Sequence, residues 1–139
     1  SIFRTADAAL IEELILTGFT PYPPRKEISK TSLGAVESVP WRYEKSAEDA
    51  VKKEKNSGKK IIALELTEKK RRYNTLKKEE FPLSIVLGNE LSGLDDAVLA
   101  LCDDALEIPM RGVKHSLNVS VAAGVILTEA AMKWDKYNT

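Results

Sequence analysis

Short apolar runs alternate with polar segments along this chain, and their spacing predicts a series of strands and helices. The pattern predicts strands at residues 12–16, 41–43, 61–66, 83–87 and 106–108, and helices at residues 1–10, 47–56, 95–101 and 119–133. Residues 32–40 are predicted as a loop, and the polar segment 67–80 as a surface excursion or a broken helix. Because strands alternate with helices, we expect an α/β fold with a mainly parallel sheet covered by helices on both faces.

Two of the predicted strands end in polar residues and flexible backbone. One apolar run stops at Gly88 and is followed directly by Asn89 and Glu90. Another leads into a glycine-containing polar loop, after which Ser116 and Asn118 open the final helix. Open α/β sheets bind their ligands beyond the carboxyl ends of the strands. The sequence therefore predicts a ligand site at these two strand ends.

Composition narrows the class of protein without naming its reaction. The 139 residues fit one domain, and 21 basic residues against 21 acidic residues leave no net charge to attract nucleic acid. Nucleic-acid binding would need a local patch of basic residues. The candidates are the lysines between residues 52 and 60, the basic run at 69–72, and Lys77 with Lys78. The alternative is that these residues are ordinary solvated surface. A single cysteine, Cys102, fits a reducing cytoplasm, and we interpret it as a buried small hydrophobe.

Several familiar sites are excluded by their missing residues. The sequence has neither a GxxxxGK[ST] phosphate loop nor a GxGxxG motif, and no nucleophile elbow surrounds Ser116. One histidine, His115, and one cysteine are too few for a Cys/His zinc site. The candidates that remain are Arg4, Glu90, Ser116 and Asn118. Such a set can hold a polar ligand and orient a hydroxyl, but spacing alone does not choose a reaction.

Three segments that contain these residues resemble motifs of the SpoU/TrmH family of RNA ribose 2′-O-methyltransferases, within the SPOUT class. SIFRTADA at residues 1–8 is similar to the latter part of motif 1, with its arginine at Arg4. IVLGNELSGL at residues 85–94 resembles motif 2, and IPMRGVKHSLNVSVAA at residues 108–123 resembles motif 3. The family's first strand and the asparagine of motif 1 would precede Ser1. We therefore expect residues 1–139 to form a single SpoU-type methyltransferase domain that lacks its natural N-terminal strand.

The resemblance implies a C-terminal deep trefoil knot that holds S-adenosylmethionine, an exception to the rule that folds are unknotted. In the family, the cofactor is read mostly by backbone groups at three strand-end loops. The positions that match in this sequence are Leu64, Gly88, Asn89, Glu90, Ile108, Met110 and Leu117. Taken without the resemblance, Leu64, Ile108 and Leu117 would be interpreted as ordinary core residues.

The same resemblance implies methyl transfer to a ribose 2′-hydroxyl of structured RNA, with Arg4, Glu90, Ser116 and Asn118 as catalytic residues. A guanidinium stays protonated up to a pH of about 12. Whether Arg4 is the base or positions a phosphate is left open, and Glu90 is expected to orient it. Alternatively, Arg4 and Glu90 are surface ion-pair residues. His115 is interpreted as a loop residue or an RNA-phosphate contact.

The expected partners are RNA, either tRNA or rRNA, and a second copy of the protein, with no metal and no membrane. Leu91 after the glutamate of motif 2 resembles tRNA-modifying members more than rRNA-modifying ones. Small and apolar residues recur along the final helix and predict its part in a homodimer: Val119, Ala122, Ala123, Ile126, Leu127, Ala130 and Ala131. The alternative function is a catalytically inactive knotted module that serves RNA binding or assembly.

Overall fold

A computed structural model of the protein describes residues 2–18, 23, 38–64, 71–88, 94–113 and 117–139. The helices in this part of the protein are α1 (Ile2–Ala8), α2 (Ala47–Asn56), α3 (Asp96–Leu101), α4 (Val119–Tyr137) and a 3-10 helix at Lys78–Glu80. The strands are β1 (Leu14–Thr17), β2 (Trp41–Glu44), β3 (Lys60–Leu64), β4 (Arg71–Arg72), β5 (Leu83–Leu87) and β6 (Asp104–Glu107). No helix among the described residues is both long enough and apolar enough to cross a membrane.

Every strand pairing in the described structure is parallel, which confirms the predicted sheet type. Four strands form one sheet in the order β4-β6-β3-β5, while β1 and β2 pair separately. The central strand β3 pairs with β5 on one side and with β6 on the other. Its residues Ile61, Ile62 and Ala63 are fully buried. A strand buried on both faces is typical of parallel sheets that helices cover on both sides.

Adjacent residues of β3 contact helices on opposite faces of the sheet, since successive side chains of a strand point to opposite sides. Ile62 packs with Leu106 of β6 and Ile126 of α4. Ile61 packs with Val51 of α2 and Val98 of α3. The predicted coverage of both faces is thus confirmed.

A third apolar cluster lies around α1, β1 and β2. Phe3 and Ala6 of α1 pack with Leu16 of β1 and Val39, and Trp41 meets the Phe3 ring edge-on at 6.5 Å between centroids. We call this the N-terminal cluster. It gives the helix that carries Arg4 a core of its own.

The structure corrects two predicted elements. The strand predicted at 106–108 runs instead from Asp104 to Glu107, because its pairing with β3 starts at Ile62 opposite Asp104. The segment 67–80 was predicted as a mobile surface excursion or a broken helix, and most of its described residues are exposed, but it also contains the short strand β4 and the buried residues Leu76 and Glu80. Glu80 is buried because it pairs with Arg71 and accepts the N–H of Lys77 at 2.9 Å. Most of the predicted loop 32–40 lies outside the described residues, as do 89–93 and 114–116, so the knot stays a prediction.

Candidate functional site

The carboxyl ends of three strands meet around Leu64, the last residue of β3. Leu64 lies opposite Leu87, the last residue of β5, and on its other side opposite Leu106 of β6. Gly88 follows β5 directly, and Ile108 follows β6. Three positions that were predicted to bind the cofactor are thereby brought together at one edge of the sheet, which we call the carboxyl edge.

The predicted cofactor positions that the structure describes are apolar or lack a side chain, yet none of these is fully buried. Leu64, Gly88, Ile108, Met110 and Leu117 are all half-buried. The backbone N–H and C=O groups of Ile108 and Met110 make no hydrogen bond to another described residue. Backbone polar groups in folded proteins are nearly always paired, with protein, water or ligand. These two residues therefore offer hydrogen-bonding groups to a ligand at the carboxyl edge.

Asn118 closes the start of α4. Its side-chain oxygen accepts the N–H of Ser120 at 2.8 Å, and its backbone carbonyl oxygen accepts the N–H of Ala122 at 2.9 Å. This is an N-cap, which satisfies an N–H group that the helix itself leaves unpaired. The side-chain amide nitrogen of Asn118 has no partner among the described residues and can donate to a ligand.

Arg4 lies on the exposed side of α1, whose opposite side faces the N-terminal cluster. The helix packs against α4 where the latter has a glycine: a Cβ on Gly124 would lie 4.0 Å from the Cγ2 of Thr5. Arg4 forms no salt bridge with a carboxylate among the described residues. That part of the protein therefore gives no support to the alternative in which Arg4 is a surface ion-pair residue. Its predicted pairing with Glu90 involves a residue outside the described ranges.

Four of the residues singled out by sequence fall outside the described ranges, namely Asn89, Glu90, His115 and Ser116. The structure therefore brings together Leu64, Gly88 and Ile108, places Met110 and Leu117 on the segment that leads from β6 to α4, and places Asn118 at the start of α4. The roles assigned to the other four stay predictions.

A polar junction that the sequence did not reveal joins the N-terminal cluster to the four-stranded sheet. Arg42 of β2 pairs with Glu13 before β1, with Glu44 at 2.8 Å, and with Glu54 of α2 at 3.5 Å. The Oε1 of Glu54 also forms a salt bridge with the Nζ of Lys59 at 3.1 Å and accepts a hydrogen bond from the hydroxyl of Ser84 in β5 at 2.8 Å. The residues of this junction come from five separate segments of the chain, so no local sequence pattern could predict the contact between them.

Glu54 carries its charge despite its surroundings. Burial opposes ionisation and raises its pKa, but the hydrogen bond from Ser84 and the pairing with Lys59 and Arg42 outweigh this effect. The pKa of Glu54 therefore lies below the ordinary value for a glutamate. Three of the lysines between residues 52 and 60 also pair with carboxylates: Lys53 with Glu44, Lys55 with Asp103, and Lys59 with Glu54.

Cys102 lies just beyond α3 and is half-buried rather than buried. Burial raises the pKa of its thiol, and the carboxylate of Asp103 adds to this effect. The thiol is therefore protonated at neutral pH, which agrees with its interpretation as a packing residue rather than a nucleophile.

Comparison with known proteins decides the family. Residues 1–128 match the model of the SpoU rRNA Methylase family. The chain belongs to this family. The resemblance noted from the three motifs is thus confirmed over nearly the whole sequence.

Individual relatives agree with that assignment. The chain is 35% identical over 130 residues to a tRNA (guanosine(18)-2′-O)-methyltransferase of Thermus thermophilus and 32% identical over 130 residues to one of Escherichia coli. It covers 66% and 56% of their lengths, with 94% of its own length aligned in each case. A crystal structure of an AdoMet-bound rRNA methyltransferase from Sinorhizobium meliloti superposes with a TM-score of 0.87 at 30% identity, over 94% of this chain and 49% of that one. The chain thus spans between half and two thirds of the length of these relatives.

Proposed function

We propose that this protein transfers a methyl group from S-adenosylmethionine to a ribose 2′-hydroxyl of a structured RNA, with tRNA favoured over rRNA. The observation that carries this proposal is the meeting of three strand ends around Leu64. It places Gly88 and Ile108, which match the family's cofactor loops, at one edge of the sheet. Family membership supplies the reaction class.

The residues present fit a cofactor with an adenine ring and a small charged tail. Ile108 and Met110 offer backbone donors and acceptors that no described residue uses. The half-buried side chains of Leu64, Met110 and Leu117 offer apolar surface to a flat ring. Asn89 and Glu90 complete the proposed cofactor loop after Gly88.

The proposed roles of the catalytic residues follow from their chemistry. Arg4 holds the ribose or its neighbouring phosphate through the planar, doubly donating face of its guanidinium. Glu90 orients Arg4 by pairing with it. Ser116 and Asn118 hold the loop that leads into α4, and the amide nitrogen of Asn118 donates to the ribose.

The 2′-hydroxyl must lose its proton as its oxygen bonds to the methyl carbon. Bound S-adenosylmethionine supplies the methyl on a positively charged sulfur, which keeps the electron pair of the bond that breaks. A guanidinium has no free lone pair with which to act as a base at neutral pH. We therefore assign Arg4 the positioning of the hydroxyl, and a nearby RNA phosphate oxygen the transfer of the proton to solvent.

The preference for tRNA, the knot and the homodimer belong to the same proposal. Leu91 after the proposed catalytic glutamate supports tRNA, as do two relatives named for a tRNA guanosine. The knot would thread the backbone between β5 and α4 around the cofactor loops. Large apolar side chains exposed on α4 support a second copy of the protein as partner.

Calorimetry with S-adenosylmethionine tests the cofactor. The protein should bind it, and Gly88→Val should abolish binding, because a β-branched side chain would crowd the loop where the ligand approaches the backbone. Gly112→Ala is the control, since a Cβ at Gly112 would lie more than 4 Å from every described residue other than its two chain neighbours. Absence of heat at millimolar ligand with the folded wild-type protein would reject the cofactor.

Methyl transfer to unmodified tRNA and rRNA transcripts tests the reaction. Arg4→Ala should reduce transfer at least about 100-fold, which is a typical loss for a group that acts on the reacting atoms, while affinity for S-adenosylmethionine stays unchanged. Lys52→Ala, at an exposed position of α2, should leave both unchanged. A protein that binds the cofactor and RNA but methylates neither transcript would instead be the inactive binding module.

A further inference from the structure

Two neighbouring arginines of β4 differ in what surrounds them. Arg71 pairs with Glu80 and lies 3.2 Å from Asp104, so its charge is used inside the fold. Arg72 is exposed and forms no salt bridge with a described residue. Side chains alternate along a strand, so the two arginines point to opposite sides. The charge of Arg72 is thus available to a partner.

Arg72 lies at the carboxyl edge, next to the strand that leads into a cofactor loop. It pairs in register with Glu107, the last residue of β6, and the N–H of Tyr73 donates to the C=O of Glu107 at 2.8 Å. Arg111 follows four residues later in the sequence and is also exposed without a salt bridge to a described residue. Four residues reach at most about 14 Å, so the backbone of Arg111 lies within that distance of the end of β6, where Arg72 pairs with Glu107.

Val113 follows in this loop and is 89% exposed. It lies between Met110 and Leu117, two proposed cofactor contacts. A single exposed valine is common on protein surfaces, but this one follows Arg111 by two residues in the segment that leads from β6 to α4. We call Arg72, Arg111 and Val113 the cationic border.

Charge is unevenly distributed around the carboxyl edge. Asp95 and Asp96 are exposed at the start of α3. That helix covers the face of the sheet where Val98 packs on Ile61. The cationic border lies at the end of β6 and at β4, the strand at the edge of the sheet. Glu107 lies in register with Arg72, so the cationic border has two cations beside one carboxylate, whereas the start of α3 has two carboxylates. A polyanion would therefore be attracted more to the β4–β6 side than to the start of α3.

We propose that the cationic border is where the substrate RNA docks, with phosphates on Arg72 and Arg111 and a nucleoside against Val113. This inference rests on the proposed function, since it assigns the entry side of the same site. Such phosphate contacts hold the strand in register without reading its sequence. They also make binding depend on salt, because each neutralised phosphate releases a counterion.

The test is the salt dependence of binding to an unmodified tRNA transcript, followed by fluorescence anisotropy between about 50 and 200 mM salt. Arg72→Ala and Arg111→Ala should each lower the slope of log affinity against log salt by about one. Arg72→Lys should keep the slope, because a point charge suffices for a phosphate. Val113→Ser should weaken binding and leave the slope unchanged.

Lys78→Ala is the matched control, at an exposed cation on the 3-10 helix that precedes β5, at the opposite edge of the sheet. It should change neither slope nor affinity. All variants should bind S-adenosylmethionine as the wild type does, which shows that they are folded. Wild-type slopes in both arginine variants, or an equal loss in Lys78→Ala, would overturn the cationic border alone. A wild-type protein without salt-dependent tRNA binding would overturn the proposed function with it.

Discussion

Asn118 carries two polar atoms that do different things. Its Oδ1 caps α4 by accepting the N–H of Ser120, whereas its Nδ2 has no partner among the described residues. Its assigned role in holding the ribose uses the second atom, and helix stability uses the first. Substitutions that separate the two atoms therefore separate stability from catalysis.

We predict that Asn118→Asp keeps the cap and loses the amide donor. The free energy of unfolding should stay within a few tenths of a kcal/mol of the wild type, since aspartate caps helices as well as asparagine does. Methyl transfer should fall. Asn118→Ala should lose both functions and cost about 1 kcal/mol of stability. Urea denaturation together with a transfer assay on each variant makes the measurement.

Full activity in Asn118→Asp would show that the amide nitrogen contacts nothing in the reaction, so that Asn118 is a capping residue alone. A stability loss in Asn118→Asp equal to that of Asn118→Ala would contradict the observed cap.

How well single residues could be assigned from sequence depends on whether their partners are local. Asn118 could be placed at a helix start because it directly precedes a helical pattern. Arg42 and Glu54 could not be paired, since the contact joins β2 to α2 and neither residue lies in a motif. Arg4 and Leu64 were assigned only through the family resemblance, because an exposed arginine and an apolar strand end carry no chemical signature of their own.

At the scale of elements, the best predictions are those with local boundary signals. The strand 83–87 and the helix 47–56 match the structure at both ends. The helix begins after the N-cap Ser46 and ends before Ser57 and Gly58, where Gly58 has a positive φ of 92°. The short strand β4 was missed because its position depends on distant pairings, Arg71 with Glu80 and Asp104.

The junction around Glu54 links elements that carry different parts of the proposed site. It joins β2, beside the N-terminal cluster that supports Arg4, to β5, which leads into Gly88. We predict that Glu54→Gln destabilises the fold by about 1.5–3 kcal/mol at neutral pH, the usual contribution of a hydrogen bond to a charged group. Glu48→Gln, at an exposed position of the same helix, should cost much less.

The pH dependence of that loss follows from the lowered pKa of Glu54. A carboxylate whose pKa is lower in the folded state stabilises the fold fully above its unfolded pKa, about 4.3. This contribution fades as pH falls through the folded pKa. The difference between wild type and Glu54→Gln should therefore be constant near pH 7 and shrink below about pH 4. A difference that persists at the acid end would mean that packing, not charge, explains the loss.

At the scale of the whole molecule, the proposed site is assembled from regions with separate cores. The helix that carries Arg4 packs in the N-terminal cluster, whereas the strands that lead into the proposed cofactor loops pack in the clusters around Ile61 and Ile62. Besides the junction at Glu54, the two regions meet through α1 and α4 at Thr5 and Gly124. The sequence pattern predicted the layers, but it contained no signal for this division, which arises from long-range packing.

The outer face of α4 leads to the last prediction. Ala123, Ile126 and Ala130 of the predicted apolar stripe are buried within the protein's own core, so that part of the stripe serves the fold. The exposed apolar residues on this helix are instead Val121 at 53%, Met132 at 65% and Trp134 at 47%. Trp134 lies on the other side of the helix from Met132, and its ring packs 5.7 Å from that of Phe81. Val121 and Met132 are three helical turns apart and lie on the same side. Exposed apolar side chains that share one side of a helix, such as Val121 and Met132, mark an interaction surface. We propose that they are covered by a second copy of the protein.

If the wild type is a dimer as proposed, Met132→Glu should shift it towards monomer at micromolar concentration, because the interface would have to bury the new charge. Met132→Leu should leave the dimer intact, since it keeps the apolar volume. Sedimentation velocity gives the oligomeric state, and a transfer assay at falling protein concentration tells whether the two copies share a site. A wild-type monomer with full activity would refute the dimer. If the specific activity of the wild type falls on dilution, and that of Met132→Glu falls already at a higher protein concentration, then each copy completes the other's site.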